Sequence, residues 1–389
     1  MEEKPKFPLI AKTLTGLEKV LAKELTDLGA SNVKPQRRAV SFEGDKKLMY
    51  ASNLWSRAAL SILKPIKEFP FDTQEDYYDR LRALPWDEYF SVTNTFSITA
   101  VASQSVFTNT HFLAQRTKDA IVDFFREKTN DRPQVDIETP QIKIQVYVYK
   151  DNCSVSLDSS GMPLFKRGYR RKSIIAPINE VLAAGLIYLS GWDKKQPFYD
   201  PMCGSATFSA EAALMALNIP PQSYRKDFAF QHWPDYDAQL WQAVQDESKE
   251  NRKEKTPPIL ASDISNRSMI AARQNLMDAG LLGLVELQKR DFFASKPRHG
   301  NGYMLLNPPY GKRIETRDVS EFFGKMGTTF KHQYQGFKVW VLSPDKQLTN
   351  KIGLKPITKH YVYNGQLDCT FLGYEIYGGS KKRPRLTQN

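Results

Sequence analysis

At 389 residues the chain exceeds the usual size of one domain, so two or three folding units are expected. Its 41% apolar content suffices for ordinary cores, while apolar runs such as Val181–Leu189 are far too short to span a bilayer. Acidic and basic residues balance before Lys166, so the net charge of +12 belongs to the remainder; that asymmetry points to a polyanionic partner, most simply nucleic acid, or to a merely basic soluble surface.

The start of the chain lacks the apolar core of a signal peptide, and no membrane association is expected. Cys153, Cys203 and Cys369 lie too far apart for a zinc spacing or an evident disulfide framework. A cytoplasmic protein with reduced thiols is the expectation.

In chain order, Phe7–Ala11 reads as a strand. Thr15-Gly16-Leu17-Glu18 has the form of a capping box, and Leu17, Leu21, Leu25 and Leu28 line one helical face before Gly29. A strand at Ala39–Glu43 completes a β-α-β pattern suited to a small ferredoxin-like unit. Thr95–Ala102 alternates like a strand, a helix is expected over Thr110–Lys128, and Ile142–Tyr149 and Cys153–Asp158 read as paired strands around a turn at Asn152. This α+β part shows no catalytic cluster; its lone histidine of interest, His111, reads as a surface or packing residue. Gly161 and Pro163 then break the pattern. Lys166, Arg167, Tyr169, Arg170 and Arg171 follow in a basic linker that can offer cations to phosphates and a ring to a base, or can simply be solvated.

After the linker the pattern changes class. A helix over Ala176–Ser190 is followed by alternating strands and helices: Phe198–Asp200, Thr207–Leu217, Ile259–Asp263, Asn266–Ala279, Val285–Lys289, Tyr303–Leu306, Val319–Phe330 and Lys338–Leu342. That alternation predicts a doubly wound, mainly parallel sheet, with Thr358–Tyr363 and Asp368–Tyr377 as an antiparallel edge. Between Pro220 and Pro258 lies an insertion rich in aromatics (Phe228, Phe230, Trp233, Tyr236, Trp241), expected to pack. The charged run Asp246–Lys255 is expected to be a solvated helix end.

Four strand ends carry candidate chemistry. Asp200-Pro201-Met202-Cys203-Gly204-Ser205-Ala206-Thr207 joins an apolar strand to an apolar helix, where Gly204 allows close backbone approach and Ser205 and Thr207 can meet polar ligand atoms. Asp263, followed by Ile264, suits either two ribose hydroxyls or the cap of the next helix. Asp291 and Phe292 can accept from an adenine amino group and flank its ring. Asn307-Pro308-Pro309-Tyr310 is the most specific. Two prolines stiffen the strand exit, the Asn307 amide oxygen and Pro308 carbonyl can grip an exocyclic amine, and Tyr310 can stack on a flipped base. Such a grip frees a lone pair otherwise delocalised into the ring. The motif therefore selects an sp² nitrogen, without saying whether DNA, RNA or protein carries it.

Together these segments resemble the THUMP-domain class I methyltransferases, and in particular the bacterial family that makes N2-methylguanosine in 23S ribosomal RNA. Thr117-Lys118-Asp119-Ala120-Ile121 is similar to a THUMP helix, Lys166-Arg167-Gly168-Tyr169-Arg170 to the family's linker, and Ala176-Pro177-Ile178-Asn179-Glu180 to the opening of its catalytic domain. The resemblance implies an α/β fold: a C-terminal Rossmann-like methyltransferase sheet preceded by an α+β ferredoxin-like and THUMP region. The expected divisions are 1–55 (ferredoxin-like), 56–160 (THUMP), 161–175 (linker), 176–380 (methyltransferase) and 381–389 (basic tail). It implies S-adenosyl-L-methionine as cofactor, structured RNA as partner (23S ribosomal RNA or a large-subunit assembly intermediate), and no metal, since the methyl donor is already activated. One departure stands out: Ala206 occupies a position where the family usually has glycine, so its methyl is expected to crowd the methionine portion of the cofactor or restrict the turn. Two rivals keep part of this reading, an adenine-N6 DNA methyltransferase and a non-catalytic RNA-binding assembly factor.

Overall fold

The computed structural model describes residues 5–170, 177–309 and 319–378. It divides into two units, residues 1–168 with 220–252, and residues 169–219 with 253–389.

The first unit opens with β1 (Phe7–Lys12), α1 (Glu18–Asp27), β2 (Ser31–Gln36) and β3 (Ala39–Gly44). Leu21 and Leu25 bury the apolar face of α1, as their spacing requires. The expected Thr15 cap does not form. Instead the Glu18 carboxylate accepts from the Gly16 N–H (2.8 Å) and the Arg38 N–H (3.1 Å), tying the helix start to the turn between β2 and β3. Next come α2 (Lys46–Trp55), β4 (Ser61–Pro70), α3 (Gln74–Arg82), β5 (Thr95–Ser103), α4 (Thr110–Thr129), β6 (Gln134–Val135), β7 (Ile142–Tyr149) and β8 (Asn152–Asp158).

These strands form one eight-stranded sheet, ordered β2-β3-β1-β4-β8-β7-β5-β6. β4 makes it continuous. Its first residues pair with Ile10–Lys12 of β1, and Leu63–Pro70 pair with β8. The register shifts between Pro65 and Lys67, where proline has no N–H to give the ladder. The two N-terminal regions expected from the sequence thus share a single sheet.

The second unit begins its helices with α5 (Glu180–Leu189), capped by Asn179, whose side chain accepts from the Val181 and Leu182 amides. The expected start at Ala176 lies outside the described residues. β9 (Phe198–Asp200) and α6 (Thr207–Ala216) follow. The chain then contributes residues 220–252, including α7 (Ala238–Glu250), to the first unit. By contact the insertion packs with the first unit, although in sequence it interrupts the second. Its aromatics are the reason: Phe228, Phe230, Trp233 and Trp241 are buried in the first unit's core, and Phe230 stacks on Tyr50 of α2 at 4.3 Å. The Asp237 amide also donates to the Tyr50 hydroxyl (3.0 Å).

The second unit resumes with β10 (Ile259–Asp263), α8 (Asn266–Asp278), β11 (Glu286–Lys289), β12 (Gly302–Leu306), α9 (Val319–Gln333), β13 (Phe337–Ser343), α10 (Lys346–Lys351), β14 (Thr358–Asn364) and β15 (Leu367–Glu375). The seven-stranded sheet is ordered β11-β10-β9-β12-β13-β15-β14, parallel from β11 to β13 and antiparallel at β15 and β14. This is the doubly wound sheet that the sequence predicts. Among the described residues no helix is long and apolar enough to cross a membrane.

Replacing Phe230 by alanine removes a fully buried ring from the first unit. Urea denaturation is expected to show a loss of about 3–5 kcal/mol in that unit's transition, with the second unit's transition unmoved.

Candidate functional site

β9 lies between β10 and β12, and the connections leave it towards opposite halves of the sheet. Such a switch point opens a crevice at the carboxyl ends of the parallel strands. A cavity of about 340 Å³ occupies that position. After β9 it is walled by Pro201, Met202 and Gly204, and at the end of β10 by Asp263 and Ile264. Arg290, Asp291, Phe292 and Phe293 line it after β11, Asn307 and Pro309 after β12. Ser268 and the α9 residue Phe322 complete it.

Four segments read separately from the sequence therefore meet in one space. Their members do not all face it. Asp200, Cys203, Ser205, Thr207 and Pro308 are buried and absent from the lining, and the first three are tied into the turn. Asp200 Oδ2 accepts from the Ser209 hydroxyl (2.7 Å) and amide (3.3 Å), whereas Oδ1 is buried without a partner among the described residues. Cys203 donates its amide to the Ser262 carbonyl (2.9 Å), and burial pushes its thiol well above the usual range. The Asn275 side-chain amide of α8 holds the Ser205 carbonyl (3.1 Å). Asn275 is a positioning residue that sequence reasoning missed, because its target lies seventy residues away.

Asp263 lines the cavity and spends one hydrogen bond per oxygen on the backbone. Oδ2 accepts from the Gly204 amide (3.0 Å) and Oδ1 from the Ser265 amide (2.8 Å). The cap of α8 is Ser265, whose hydroxyl accepts from the Ser268 amide, so the capping alternative for Asp263 is removed. Each carboxylate oxygen retains lone-pair capacity for a hydroxyl donor. Ile264 leaves 66% of its surface exposed beside it, an apolar wall without a protein covering. Asp291 is exposed, with Oδ1 accepting from the Phe293 amide (2.9 Å). Phe292 is buried against Tyr334, rings stacked at 5.8 Å. Phe293 and Phe322 add an edge-to-face pair at 5.1 Å that the sequence reading did not anticipate. The signal for Phe322 was weak because it lies on a helix, not at a strand end.

At the β12 exit, Asn307 lines the cavity with its Oδ1 buried and without a hydrogen-bond partner among the described residues. A buried carbonyl without a donor is costly, about 1–3 kcal/mol, and such atoms concentrate where a ligand supplies the missing group. Tyr310 lies outside the described residues, as do Arg171 and the tail 381–389.

The basic linker departs from expectation. Arg167 is fully buried, donating to the Leu164 carbonyl (2.8 Å) and the Arg57 carbonyl (2.6 Å). Tyr169 is buried and its hydroxyl donates to Glu211 (3.0 Å). Arg170 pairs with the buried Glu180 at 3.0 Å. A buried carboxylate needs such a cation, so Arg167 and Tyr169 are spent on the interior and Arg170, partly exposed, on Glu180. Of the described linker candidates, Lys166 alone is exposed.

Ala206 sits at φ 63°, ψ 33°, left-handed, as the residue before α6. Its methyl is fully buried and is not part of the cavity lining. Of the two expectations, the backbone shows the restriction of the turn.

Comparison with known proteins agrees with this geometry. The family model described as "RMKL-like, methyltransferase domain" matches residues 167–372, the THUMP domain matches 71–158, and the RlmL ferredoxin-like domain matches 8–63. A protein named "Putative RNA methyltransferase" from Synechocystis sp. is 38% identical over 95% of this chain and 97% of its own length. The ribosomal RNA large subunit methyltransferase K/L of Methylococcus capsulatus is 34% identical over 93% of this chain, which spans about half (50%) of that longer protein. A crystal structure of a "putative methyltransferase complexed with SAH" superposes with a TM-score of 0.87 at 33% identity, covering 98% of this chain and all of that one.

Two measurements follow. Ala206→Gly relieves a left-handed alanine and is expected to raise stability by about 1 kcal/mol in thermal unfolding. Burial pushes the Asp200 carboxyl up to about 7, against the opposing bonds from Ser209. The folded state thus keeps a proton that the unfolded chain releases above about pH 4, and stability from this group falls as pH rises from there to about 7. Asp200→Asn, always neutral, is expected to gain in Tm over the parent between about pH 5 and about pH 8; a pH-independent difference would contradict the assignment.

Proposed function

The chain belongs to the RMKL-like methyltransferase family, and on that premise we propose that it methylates N2 of a guanine in large-subunit ribosomal RNA. The S-adenosylmethionine-dependent class follows from the family and from the solved relative bearing SAH. The THUMP domain and the RNA methyltransferases among the relatives support an RNA substrate. The ribosomal location rests on the K/L relatives, half of whose length this chain spans, and the guanine on the resemblance of its motifs alone.

The observation that carries the chemistry is the Asn307 Oδ1 on the cavity wall, buried and without a partner among the described residues. The remaining wall suits the cofactor. Asp263 has acceptor capacity for ribose hydroxyls, Asp291 and Phe292 on the lining suit an adenine amino group and ring, and Ile264 offers a second apolar surface. Pro201 and Gly204 border the same space, with Gly204 held by Asp263. When bound, S-adenosylmethionine supplies an electrophilic methyl group.

The protein's part is to ready the nucleophile. Asn307 Oδ1 and the Pro308 carbonyl accept the two hydrogens of the exocyclic amine. This draws the nitrogen lone pair out of conjugation and stabilises the positive charge that grows there during transfer. Pro308 and Pro309 hold these acceptors on a stiff backbone, so little reorganisation accompanies the reaction. Tyr310, adjacent in sequence, is assigned to stack on the extruded base.

Asn307→Ala should lower kcat for methyl transfer to deproteinised large-subunit RNA by about 10²–10³-fold, with cofactor affinity by calorimetry within a few-fold of the parent. Undiminished kcat would refute the acceptor role. Methyl incorporation into duplex DNA and not into ribosomal RNA would replace the substrate assignment by the adenine alternative.

A further inference from the structure

β14 is the outer strand of the seven-stranded sheet and alternates sharply. Val362 is buried and His360 stacks on Trp340 at 5.8 Å, so these residues bind the strand to the sheet. Lys359, Tyr361 and Tyr363 occupy the opposite face and are exposed, Tyr361 by 62%. Lys359 Nζ lies 4.8 Å from the Tyr361 ring centre, and Lys346 Nζ, from the first residue of α10, lies 5.8 Å from it. Neither lysine forms an ion pair among the described residues. One carboxylate, Asp368, opposes Tyr363 nearer the hairpin end.

The register places this face relative to the cavity. Leu306 opposes Val341, Val341 opposes Leu372, and Leu372 opposes Lys359. β14 runs in the direction of β12, so Tyr361, two residues beyond Lys359, stands level with Pro308, two residues beyond Leu306. Three strand spacings separate them, about 14 Å. Leu372 and Val341 of this face pack in one core with Phe323 of α9, whose neighbour Phe322 lines the cavity. An exposed ring flanked by two ammonium groups, Lys359 also hydrogen-bonded to the Tyr361 side chain, lies a few nucleotides from the target position and has the composition of a single-strand stacking platform.

We propose that Lys346, Lys359 and Tyr361 dock the single-stranded RNA flanking the methylated nucleotide, one base stacking on Tyr361 and adjacent phosphates meeting the lysines. This rests on the RNA-methylation reading. It accounts for a surface that the family's cofactor and amine-binding segments leave unused, and it gives the second unit an RNA contact of its own.

The test pairs turnover with binding. Tyr361→Ala should raise KM for deproteinised large-subunit RNA about ten-fold, leaving kcat and calorimetric cofactor affinity unchanged, while Tyr361→Trp retains the parental KM. In fluorescence anisotropy with a short labelled single-stranded RNA, the same alanine variant should bind about ten-fold more weakly, and a Lys346→Ala, Lys359→Ala double variant should show a shallower salt dependence. Parental affinity in Tyr361→Ala, or a parent that binds no single-stranded RNA, overturns the proposal. A parent that binds the labelled RNA through Tyr361 but transfers no methyl to ribosomal RNA would sink the substrate reading and leave the docking surface standing.

Discussion

β9 is three residues long, fully buried, and paired in parallel on both sides. The cavity exists because this strand is central and its two neighbours connect away from it in opposite directions. The turn that follows must then pass from a buried strand into a helix buried along its length. Three polar side chains hold it there: Asp200 on Ser209, Asp263 on Gly204, and Asn275 on Ser205. The bracing has costs, a carboxyl buried with one oxygen lacking a partner among the described residues and an alanine in left-handed backbone. Both lie behind the cavity wall, so the wall itself keeps its acceptors directed at the cavity.

This division separates residues that shape the site from those able to touch a ligand. Contiguity in sequence hides it. Asp200-Pro201 and Cys203-Gly204 are adjacent pairs, yet only Pro201 and Gly204 reach the lining. The same logic explains the linker. Arg167, Tyr169 and Arg170 have the composition of an RNA contact, but buried carbonyls and carboxylates compete for the same donors and win, because an unsatisfied buried polar group costs more than a solvated cation gains.

The first unit is governed by a similar competition. The stretch 220–252 lies between two segments of the methyltransferase sheet in sequence, but its rings have greater apolar area to bury against Tyr50 and its neighbours than any helix surface of its own could cover. Local periodicity carries no information about which core receives a ring. α2, β4 and α3 were illegible for a related reason: β4 is sheet-internal, carries two lysines and two prolines, and draws its stability from two partner strands.

The sequence alone determined the alternation of strands and helices in the second unit and the four strand ends that meet at the cavity, and it carried the proposal of nitrogen chemistry at Asn307-Pro308. These are local properties: hydrophobic period, proline stiffness and the acceptor character of an amide are present in any short window. Tertiary structure decided which side chains face the cavity, that Ser265 and not Asp263 caps α8, that Phe293 and Phe322 join the wall, and that Ala206 strains a turn without entering the site. Each of those outcomes depends on atoms brought together from distant positions, where burial and hydrogen-bond competition select a partner that spacing along the chain does not encode.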